Sequence, residues 1–355
     1  TGLVLDPDAR AESLGVAAQQ RLEIIKALAR PTRVLILDEP TAVLAPREAD
    51  DLLRWVREFA TSGDGRAVVL ITHKLREALA VADGVTVLRH GTTVLSGPSA
   101  GLGEAVLVNA MIGSSVPSER QEARAHRHGD AVVTARDLTV ADAAGRPRIA
   151  AATFEIAGGE TVGIAGVEGA GHRELLRAIA GRLAPGGGSL AIPARIGFVP
   201  EDRQRDALVL DMPLFENVAL RDAGVARGLL RWGEIRARTR TLLERFDVRA
   251  PDIGLPASAL SGGNQQRLVL ARELDGPPPL LVVESPTRGL DVRATAAVHD
   301  HLRRARDGGV AIALYSSDLD EMLLLADRVL VVFAGTVREV PRDRETIGRA
   351  MVGVG

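Results

Sequence analysis

The chain repeats part of its own sequence, and this internal repeat limits the folds that it can adopt. Residues 14–28 read LGVAAQQRLEIIKAL and residues 260–274 read LSGGNQQRLVLAREL, an offset of 260 − 14 = 246. The same offset aligns residues 38–41 (DEPT) with residues 284–287 (ESPT). Self-similarity at one long period indicates a structural unit that is present twice. We therefore predict one α/β domain in two tandem copies.

Positions further along the chain place the boundaries of the two copies. Gly91 aligns with Gly335 at an offset of 335 − 91 = 244, so the alignment of the two copies needs a gap of only two residues. The second copy begins near Ala131, which projects the start of the first copy to 131 − 246 = −115, about a hundred residues before Thr1. We expect an incomplete first copy, a linker and a complete second copy at residues 1–112, 113–130 and 131–355.

The predicted linker contains serine, proline and several charged residues and shows no apolar periodicity. It also contains His126 and His128, which could in principle bind a metal ion. No further ligands flank these two residues, so a solvated linker is the better interpretation.

The overall composition excludes several classes of function. The chain is 46% hydrophobic and 25% charged, with a net charge of −2, and this lack of a basic excess argues against a nucleic-acid partner. No apolar run reaches the length of about 18 residues that a membrane-spanning helix needs. The chain has no cysteine for a disulfide or a thiolate metal site. Any contact with a membrane is therefore predicted to be made through another protein.

The most informative stretch of the second copy is a glycine-rich helix start. Ser261 is a typical N-cap residue, Gly262 and Gly263 allow a close approach to the backbone, and residues 264–274 continue as an amphipathic run. Backbone N–H groups at such a helix end favour an anion such as phosphate. For the first three residues taken alone, an ordinary helix start after a tight turn is the alternative.

A second group of polar residues follows two short apolar runs of the first copy. Residues 34–37 (VLIL) and 68–73 (VVLITH) predict buried strands, with Asp38-Glu39 at the end of the first and His73 at the end of the second. Ligands bind at the carboxyl ends of parallel strands in open α/β sheets. Asp38 is therefore a candidate Mg²⁺ ligand through water, and Glu39 a candidate general base. The alternative is a polar strand end that leads into a turn.

The second copy also contains an altered phosphate-binding loop. Residues 166–173 (GVEGAGHR) have the spacing G-x-x-x-x-G-K-[ST], but His172 replaces the lysine and Arg173 replaces the hydroxyl residue. The lysine charge and the Mg²⁺ ligand of such a loop are thus absent. Two interpretations of this loop remain, weak nucleotide binding and a turn that binds no ligand. The glycines that could still surround a phosphate are Gly166, Gly169 and Gly171. The elements predicted around the loop are strands at 154–156 and 160–165 and a helix at 174–180.

Together these motifs resemble the ATP-binding subunits of ABC transporters, and the resemblance covers nearly the whole chain. It identifies residues 260–267 (LSGGNQQR) as a signature motif and residues 289–291 (GLD) as a D-loop. It implies the α/β fold of P-loop NTPases in two tandem copies, the first incomplete, with ATP and Mg²⁺ as cofactors. It also implies that His73 senses the γ-phosphate. The signature residues that it assigns to nucleotide binding are Ser261, Gly262, Gly263, Asn264 and Gln265.

Two further positions depart from the pattern of this family. Ala45 stands where the D-loop of the first copy should carry an aspartate. Glu201, in the run PEDR of the second copy, stands where the family has the glutamine of its Q-loop. The second departure puts the ligand set of that copy in doubt.

Within the resemblance, ABC domains pair head to tail, and each ATP lies between the acids of one domain and the signature helix of the other. The residues of this sequence then separate into one hydrolytic site and one degenerate site. The hydrolytic site would combine Asp38, Glu39 and His73 with Ser261, Gly262 and Gly263. The degenerate site would combine residues 15–18 (GVAA) with His172, Arg173, Glu284, Ser285 and Ser317.

Two such domains in one chain are typical of importers of simple sugars and nucleosides. Residues 41–44 (TAVL), 73–75 (HKL) and 166–169 (GVEG) are more similar to the nucleoside type. The resemblance implies a peripheral ATPase at the cytoplasmic face of the plasma membrane, with two permease subunits and, indirectly, a substrate-binding lipoprotein as partners. The alternatives are a non-transport ABC ATPase, for example a ribosome-associated one, and an inactive remnant. Without the P-loop of the first copy, the chain alone is expected not to hydrolyse ATP.

Overall fold

The chain forms two compact units, Thr1–Arg120 and Gln121–Gly355, in a computed structural model. The division between them falls within the predicted linker, of which only residues 129 and 130 are described. No helix in the described ranges has the length and apolar character to cross a bilayer. The structure describes residues 6–11, 14, 16–29, 32–41, 44, 46–63, 65–72, 74–89, 91–103, 106–107, 110–111, 129–142, 144–167, 169–222, 228–351 and 353.

The first unit contains a parallel strand pair with helices packed on one face. Strand β1 (Val34–Asp38) pairs in parallel with β2 (Ala67–Ile71). Strand β3 (Gly84–Arg89) pairs antiparallel with β4 (Thr92–Pro98). The helices of this unit span Val16–Leu28, Pro46–Thr61 and Leu75–Val81.

The second strand of this unit begins one residue earlier and ends two residues earlier than the sequence predicted. The apolar run favoured residues 68–73, whereas β2 spans Ala67–Ile71. Thr72 leaves the strand because its hydroxyl accepts a hydrogen bond of 3.0 Å from the backbone N–H of Lys74, which turns the chain. His73, which follows, lies outside the described residues.

Strand β1 buries only one of its two faces. Leu35 and Leu37 are buried against the helices, whereas Val34 and Ile36 are 56% and 64% exposed. Because side chains alternate along a strand, the exposed residues share one face of the pair. The same face of β2 carries the exposed residues Val69 and Ile71. One face of this strand pair is therefore apolar and uncovered within the described part of the chain.

The second unit is built on a six-stranded sheet and a separate three-stranded antiparallel sheet. The strands are β5 (Ala131–Ala141), β6 (Pro147–Ala157), β7 (Thr161–Ala165), β8 (Gly187–Ala191), β9 (Ile196–Val199), β10 (Leu280–Glu284), β11 (Ala311–Tyr315), β12 (Arg328–Phe333) and β13 (Thr336–Val340). The larger sheet has the order β13-β12-β7-β11-β10-β9, and its strands are parallel except for β13, which pairs antiparallel at the edge. The smaller sheet has the order β6-β5-β8.

The central strand β10 shows how this sheet is buried on both faces. Leu280 and Val282 pack on the side that carries the antiparallel sheet, and Leu281 and Val283 pack on the opposite, helical side. A parallel strand covered on both faces is a continuous apolar run, as LLVV is here. The helices of the unit span His172–Ile179, Arg203–Asp206, Leu214–Ala219, Trp232–Arg245, Gly262–Glu273, Val292–Asp307, Leu319–Leu325 and Arg344–Met351.

The strand predicted at residues 154–156 is only the end of a longer strand. β6 spans Pro147–Ala157 because it pairs with β5 along most of its length. The following strand, β7, begins at Thr161 and not at 160. Residues 150–152 are alanines, which have a low strand propensity, so pairing between strands determines this extension.

The parallel pair of the first unit has a counterpart in the second. Val34 pairs with Ala67, and Leu280 pairs with Ala311, at offsets of 280 − 34 = 246 and 311 − 67 = 244. Val34 and Ile36, which are exposed, correspond to Leu280 and Val282, which are 0% exposed. The two units therefore share this arrangement of strands and differ in what covers it.

Candidate functional site

Loops at one edge of the parallel sheet form the candidate site of the second unit. The loop 166–171 follows β7, and Glu201 lies shortly after the end of β9. Glu284 is the last residue of β10, and Ser285 follows it. Because the carboxyl ends of parallel strands lie at the same edge, the fold brings these residues together.

The loop between β7 and the helix His172–Ile179 needs glycine at two positions. Gly169 and Gly171 have φ angles of +80° and +106°, which residues with a Cβ rarely adopt. At Gly171 an added Cβ would lie 2.5 Å from the backbone oxygen of Arg148. The helix begins at 172 and not at the predicted 174, and Gly171 is its N-cap. The strand, glycine loop and helix predicted from the sequence are all present.

His172 lies beneath this loop and carries no charge at neutral pH. Its side chain is 1% exposed, and its ring stacks on that of Tyr315 with a centroid distance of 4.4 Å. Burial, together with the charge of Arg173, lowers the pKa of His172 to about 4, against a weak opposing effect of the Val167 carbonyl. At Gly166 an added Cβ would lie 3.0 Å from Nδ1 of this ring. His172 therefore does not supply the positive charge of a P-loop lysine.

This buried imidazole predicts a stability that depends on pH. The pKa of His172 is about 4 in the folded state, against an ordinary histidine pKa of 6.5, so the unfolded chain binds the proton first as the pH falls. Stability is therefore lost as the pH falls from about 6.5 to about 4, by up to about 3 kcal/mol. In His172→Phe, which keeps a ring against Tyr315, this loss should be absent.

The measurement is denaturant unfolding at pH 7 and at pH 4, with Trp232 as the fluorescence probe of the second unit and Trp55→Phe as the background. His301, whose pKa burial also lowers, is present in both proteins, so its contribution cancels in the comparison. Parallel pH profiles for the parent and His172→Phe would show that His172 does not cause the loss.

Arg173 takes part in an ion cluster at the mouth of the loop. Its Nη2 donates to Oε2 of Glu201 at 2.7 Å, and Nη1 of Arg288 donates to the other carboxylate oxygen of Glu201. The Glu201 side chain is 15% exposed, and the two arginine side chains are 39% and 37% exposed. The cluster therefore holds two guanidinium groups against one carboxylate at a surface that solvent can reach.

Glu284 and Ser285 lie buried next to this cluster. Oε2 of Glu284 accepts the backbone N–H of Glu201 at 3.3 Å. Burial raises the pKa of Glu284, against the opposing effects of that N–H group and of the Arg177 and Arg173 charges. Among the described residues, Oε1 of Glu284 and Oγ of Ser285 have no hydrogen-bond partner. Such buried polar atoms normally find a partner in a protein, in water or in a ligand.

The glycine-rich helix start has the predicted N-cap. The helix begins at Gly262, and Oγ of Ser261 accepts the backbone N–H of Asn264 at 3.4 Å. Asn264 Nδ2 also donates to this hydroxyl, and Oδ1 of Asn264 accepts the backbone N–H of Arg249. Gln265 is 3% exposed, and its Nε2 donates to the Ala257 carbonyl. The side chains of Asn264 and Gln265 thus form hydrogen bonds within the second unit, and these bonds hold the helix end in place.

Sequence reasoning missed an arginine next to this helix end. An added Cβ at Gly262 would lie 2.6 Å from Nη2 of Arg203. Nη1 of Arg203 donates to the backbone oxygen of Arg288 at 3.3 Å, and burial lowers the pKa of Arg203. The run PEDR contains this residue, but only the fold shows that it reaches the glycine-rich helix start.

In the first unit, Asp38 and Glu39 lie at the end of β1, as predicted. Asp38 is exposed, and an exposed carboxylate suits Mg²⁺, which keeps several of its waters when bound. Glu39 has a φ of +43°, and its N–H donates to the Ile71 carbonyl at 2.8 Å. Ser285 has a φ of +42° and donates to the Tyr315 carbonyl at 2.7 Å. The two positions therefore have the same backbone conformation, with a carboxylate only at Glu39.

Some predicted site residues cannot be placed. His73 and Gly15 lie outside the described residues, as does Ala45. Asp38 and Glu39 belong to the first unit, whereas the glycine-rich helix start belongs to the second. A shared site between the units therefore stays a prediction. Within the described ranges, no three His, Asp or Glu side chains are grouped as ligands for a metal ion.

Comparison with known families identifies a match within the second unit. Residues 149–288 match the family model described as ABC transporter. This segment contains the glycine loop, the Arg173 cluster and the glycine-rich helix start. The match therefore includes the candidate site that the structure assembles.

Comparison with curated proteins finds relatives over the whole chain. The nucleoside import ATP-binding protein NupA of Lactococcus lactis is 38% identical over 99% of this chain and 73% of that protein. The glucose import ATP-binding protein TsgD13 of Haloferax volcanii is 39% identical over 100% of this chain and 68% of that protein. Among solved structures, the archaeal ribosome recycling factor aABCE1, in complex with the ribosomal stalk protein aP1, aligns with a TM-score of 0.69 at 20% identity. That alignment covers 97% of this chain and 67% of the factor, and shows a shared fold.

Proposed function

Because this chain belongs to the family of ABC transporter ATP-binding proteins, we propose that it is the ATP-hydrolysing subunit of an importer for nucleosides or simple sugars. The relatives that support this proposal extend over nearly the whole chain, and their names include both kinds of substrate. In such importers the ATPase does not itself contact the transported molecule. The choice between nucleosides and sugars then depends on the partner proteins.

We further propose that the two units are tandem copies of one nucleotide-binding domain, with the first copy incomplete in this chain. The common register of β1–β2 and β10–β11 supports this interpretation. In the second unit, the face equivalent to Val34 and Ile36 packs against the antiparallel sheet and the helix His172–Ile179. We propose that a segment with the character of residues 131–180 covers this face in the complete first copy.

The proposed hydrolytic site combines the acids of the first unit with the helix start of the second. Asp38 would bind Mg²⁺ through water, and Glu39 would take a proton from the attacking water. Bound Mg²⁺ would offset the negative charge of the phosphates. His73 would contact the γ-phosphate, and the helix start at Ser261–Gly263 would bind it through backbone N–H groups.

The single observation that carries this assignment is the equivalence of Glu39 and Ser285. Both residues follow a parallel strand with the same positive φ, and both donate their N–H group to the neighbouring strand. Only the first offers a carboxylate as a base. The lost charge at His172 and the ion pair of Arg173 support a degenerate role for the second site.

The partners that we propose are two integral-membrane permease subunits and, indirectly, a substrate-binding lipoprotein. The names of the import relatives support permease partners. The chain would act at the cytoplasmic face of the plasma membrane, with its two domains paired head to tail. The sequence lacks the excess of basic residues that would favour a nucleic-acid partner.

An uptake experiment tests this function. Deletion of the gene from its natural host should abolish import of one nucleoside or simple sugar, measured with radiolabelled substrates. The intact gene on a plasmid should restore uptake, and the Glu39→Gln gene should not. If deletion changes the uptake of no nucleoside or sugar, the proposed transport function is wrong.

A further inference from the structure

The loop 166–173 is surrounded by groups that do not suit a magnesium ion. In P-loop proteins a hydroxyl after the loop lysine and an acidic residue at a strand end hold the metal. Here Arg173 occupies the hydroxyl position, and its guanidinium bonds to Glu201 at 2.7 Å. Arg288 takes the other oxygen of the same carboxylate. Mg²⁺ therefore does not suit this site, because a guanidinium stands where its hydroxyl ligand would be and both oxygens of the Glu201 carboxylate are bonded to arginines.

The same groups leave the loop suited to an anion. The guanidinium groups of Arg173 and Arg288 both face the Glu201 carboxylate at the mouth of the loop. A guanidinium carries five N–H donors in a planar fork, and this geometry matches phosphate oxygens. The helix His172–Ile179 presents its N-terminal end to the same place, with glycine backbone before it.

Buried polar atoms give a second, independent indication of a ligand. Ser285 is 4% exposed, and in the described part of the chain its hydroxyl has no hydrogen-bond partner. Its backbone N–H bonds to Tyr315, whose ring stacks on His172, so Ser285 lies beside the loop. Glu284, at 6% exposed, has one carboxylate oxygen that is likewise unpartnered among the described residues. A ligand with phosphate and hydroxyl groups could satisfy a hydroxyl and a carboxyl of this kind.

We propose that the loop 166–173 of the second unit binds the phosphates of a nucleotide without Mg²⁺, with the guanidinium of Arg173 in the place of the metal. This inference rests on the proposed function, in which the second site keeps a nucleotide but does not hydrolyse it. It adds the form of the ligand, which is the metal-free nucleotide. Arg173 and Arg288 are its cationic contacts, and Glu201 positions both of them.

Calorimetric titration of the 355-residue chain with ATP tests the proposal, in excess EDTA and in excess MgCl₂. We expect binding in EDTA to be tighter than in excess MgCl₂ by about tenfold or more, because Mg²⁺ converts free ATP into a complex that the site does not accept. Arg173→Gln should weaken binding in EDTA by about tenfold or more, because one charge-assisted contact is removed. Arg205→Ala, on an exposed arginine of the adjacent helix, is the matched control and should bind as the parent does.

A second variant distinguishes the loss of a phosphate contact from an effect on folding alone. Arg173→Thr restores the hydroxyl and frees one oxygen of the Glu201 carboxylate, so ATP binding should become dependent on Mg²⁺ in this variant. Fluorescence of Trp232 checks that each variant is folded. If the parent chain binds ATP as tightly or more tightly in MgCl₂ than in EDTA, or binds none in either buffer, the proposal is overturned. The uptake experiment on Glu39→Gln would be unaffected by that result, so the two failures can be told apart.

Discussion

Replacing Glu39 by glutamine is expected to lower ATP hydrolysis by at least about 100-fold, in the protein assembled with the proposed permease subunits. Glutamine has nearly the same shape as glutamate but cannot accept a proton from water. The backbone at this position is fixed by its φ of +43° and by the hydrogen bond to Ile71. The substitution should therefore change the chemistry and leave the fold as it is. The measurement is phosphate release at saturating ATP and Mg²⁺.

The matched control for this variant is Ser285→Ala. Ser285 has the equivalent backbone conformation in the second unit, with a φ of +42°. Because its side chain is 4% exposed, alanine is a safer substitution there than a larger residue. We expect hydrolysis by Ser285→Ala to remain close to that of the parent. Equal losses from both variants would contradict the division into one hydrolytic and one degenerate site.

Replacing Gly171 by alanine destabilises the second unit by about 2–4 kcal/mol, through backbone strain and a steric clash. The residue has a φ of +106°, and the new Cβ would lie 2.5 Å from the Arg148 carbonyl oxygen, which belongs to β6. A backbone atom in a paired strand cannot move aside as a flexible side chain can. The melting temperature of this unit should fall by roughly 5–15 °C. Thermal unfolding followed by Trp232 fluorescence measures the change.

Gly169→Ala is the control from the same loop. Gly169 also has a positive φ, of +80°, but no described atom lies within 4 Å of its Cβ position. Only the conformational cost should appear, about 1 kcal/mol. Similar melting temperatures for the two variants would show that contact with β6 does not determine the need for glycine at position 171.

The sequence predicted the local structure around the site because local patterns encode it. Ser261 was expected as an N-cap, and its hydroxyl does accept the Asn264 N–H group. The strand before the glycine loop and the helix after it were also expected, and both are present within two residues of their predicted bounds. The metal, nucleotide and proton-transfer roles of these residues stay predictions, and the variants above test them.

The ion cluster at the loop could not be predicted in the same way. Arg173, Glu201 and Arg288 lie on different segments, and only the parallel order of β7, β11, β10 and β9 brings them to one edge. The pairing of β5 with β6 likewise extends β6 beyond what its own residues indicate. Such contacts depend on the register between distant strands, which no local pattern specifies.

By itself, the sequence predicted that an α/β unit recurs along the chain, and it determined that acids, glycines and helix caps follow strands and precede helices. These features depend on spacing and on residue type, which a repeat preserves. The tertiary structure alone decided that His172 is buried and neutral against Tyr315, and that Arg173 is paired with Glu201. Charge state and pairing depend on burial and on neighbours from other segments, and these exist only after the chain has folded.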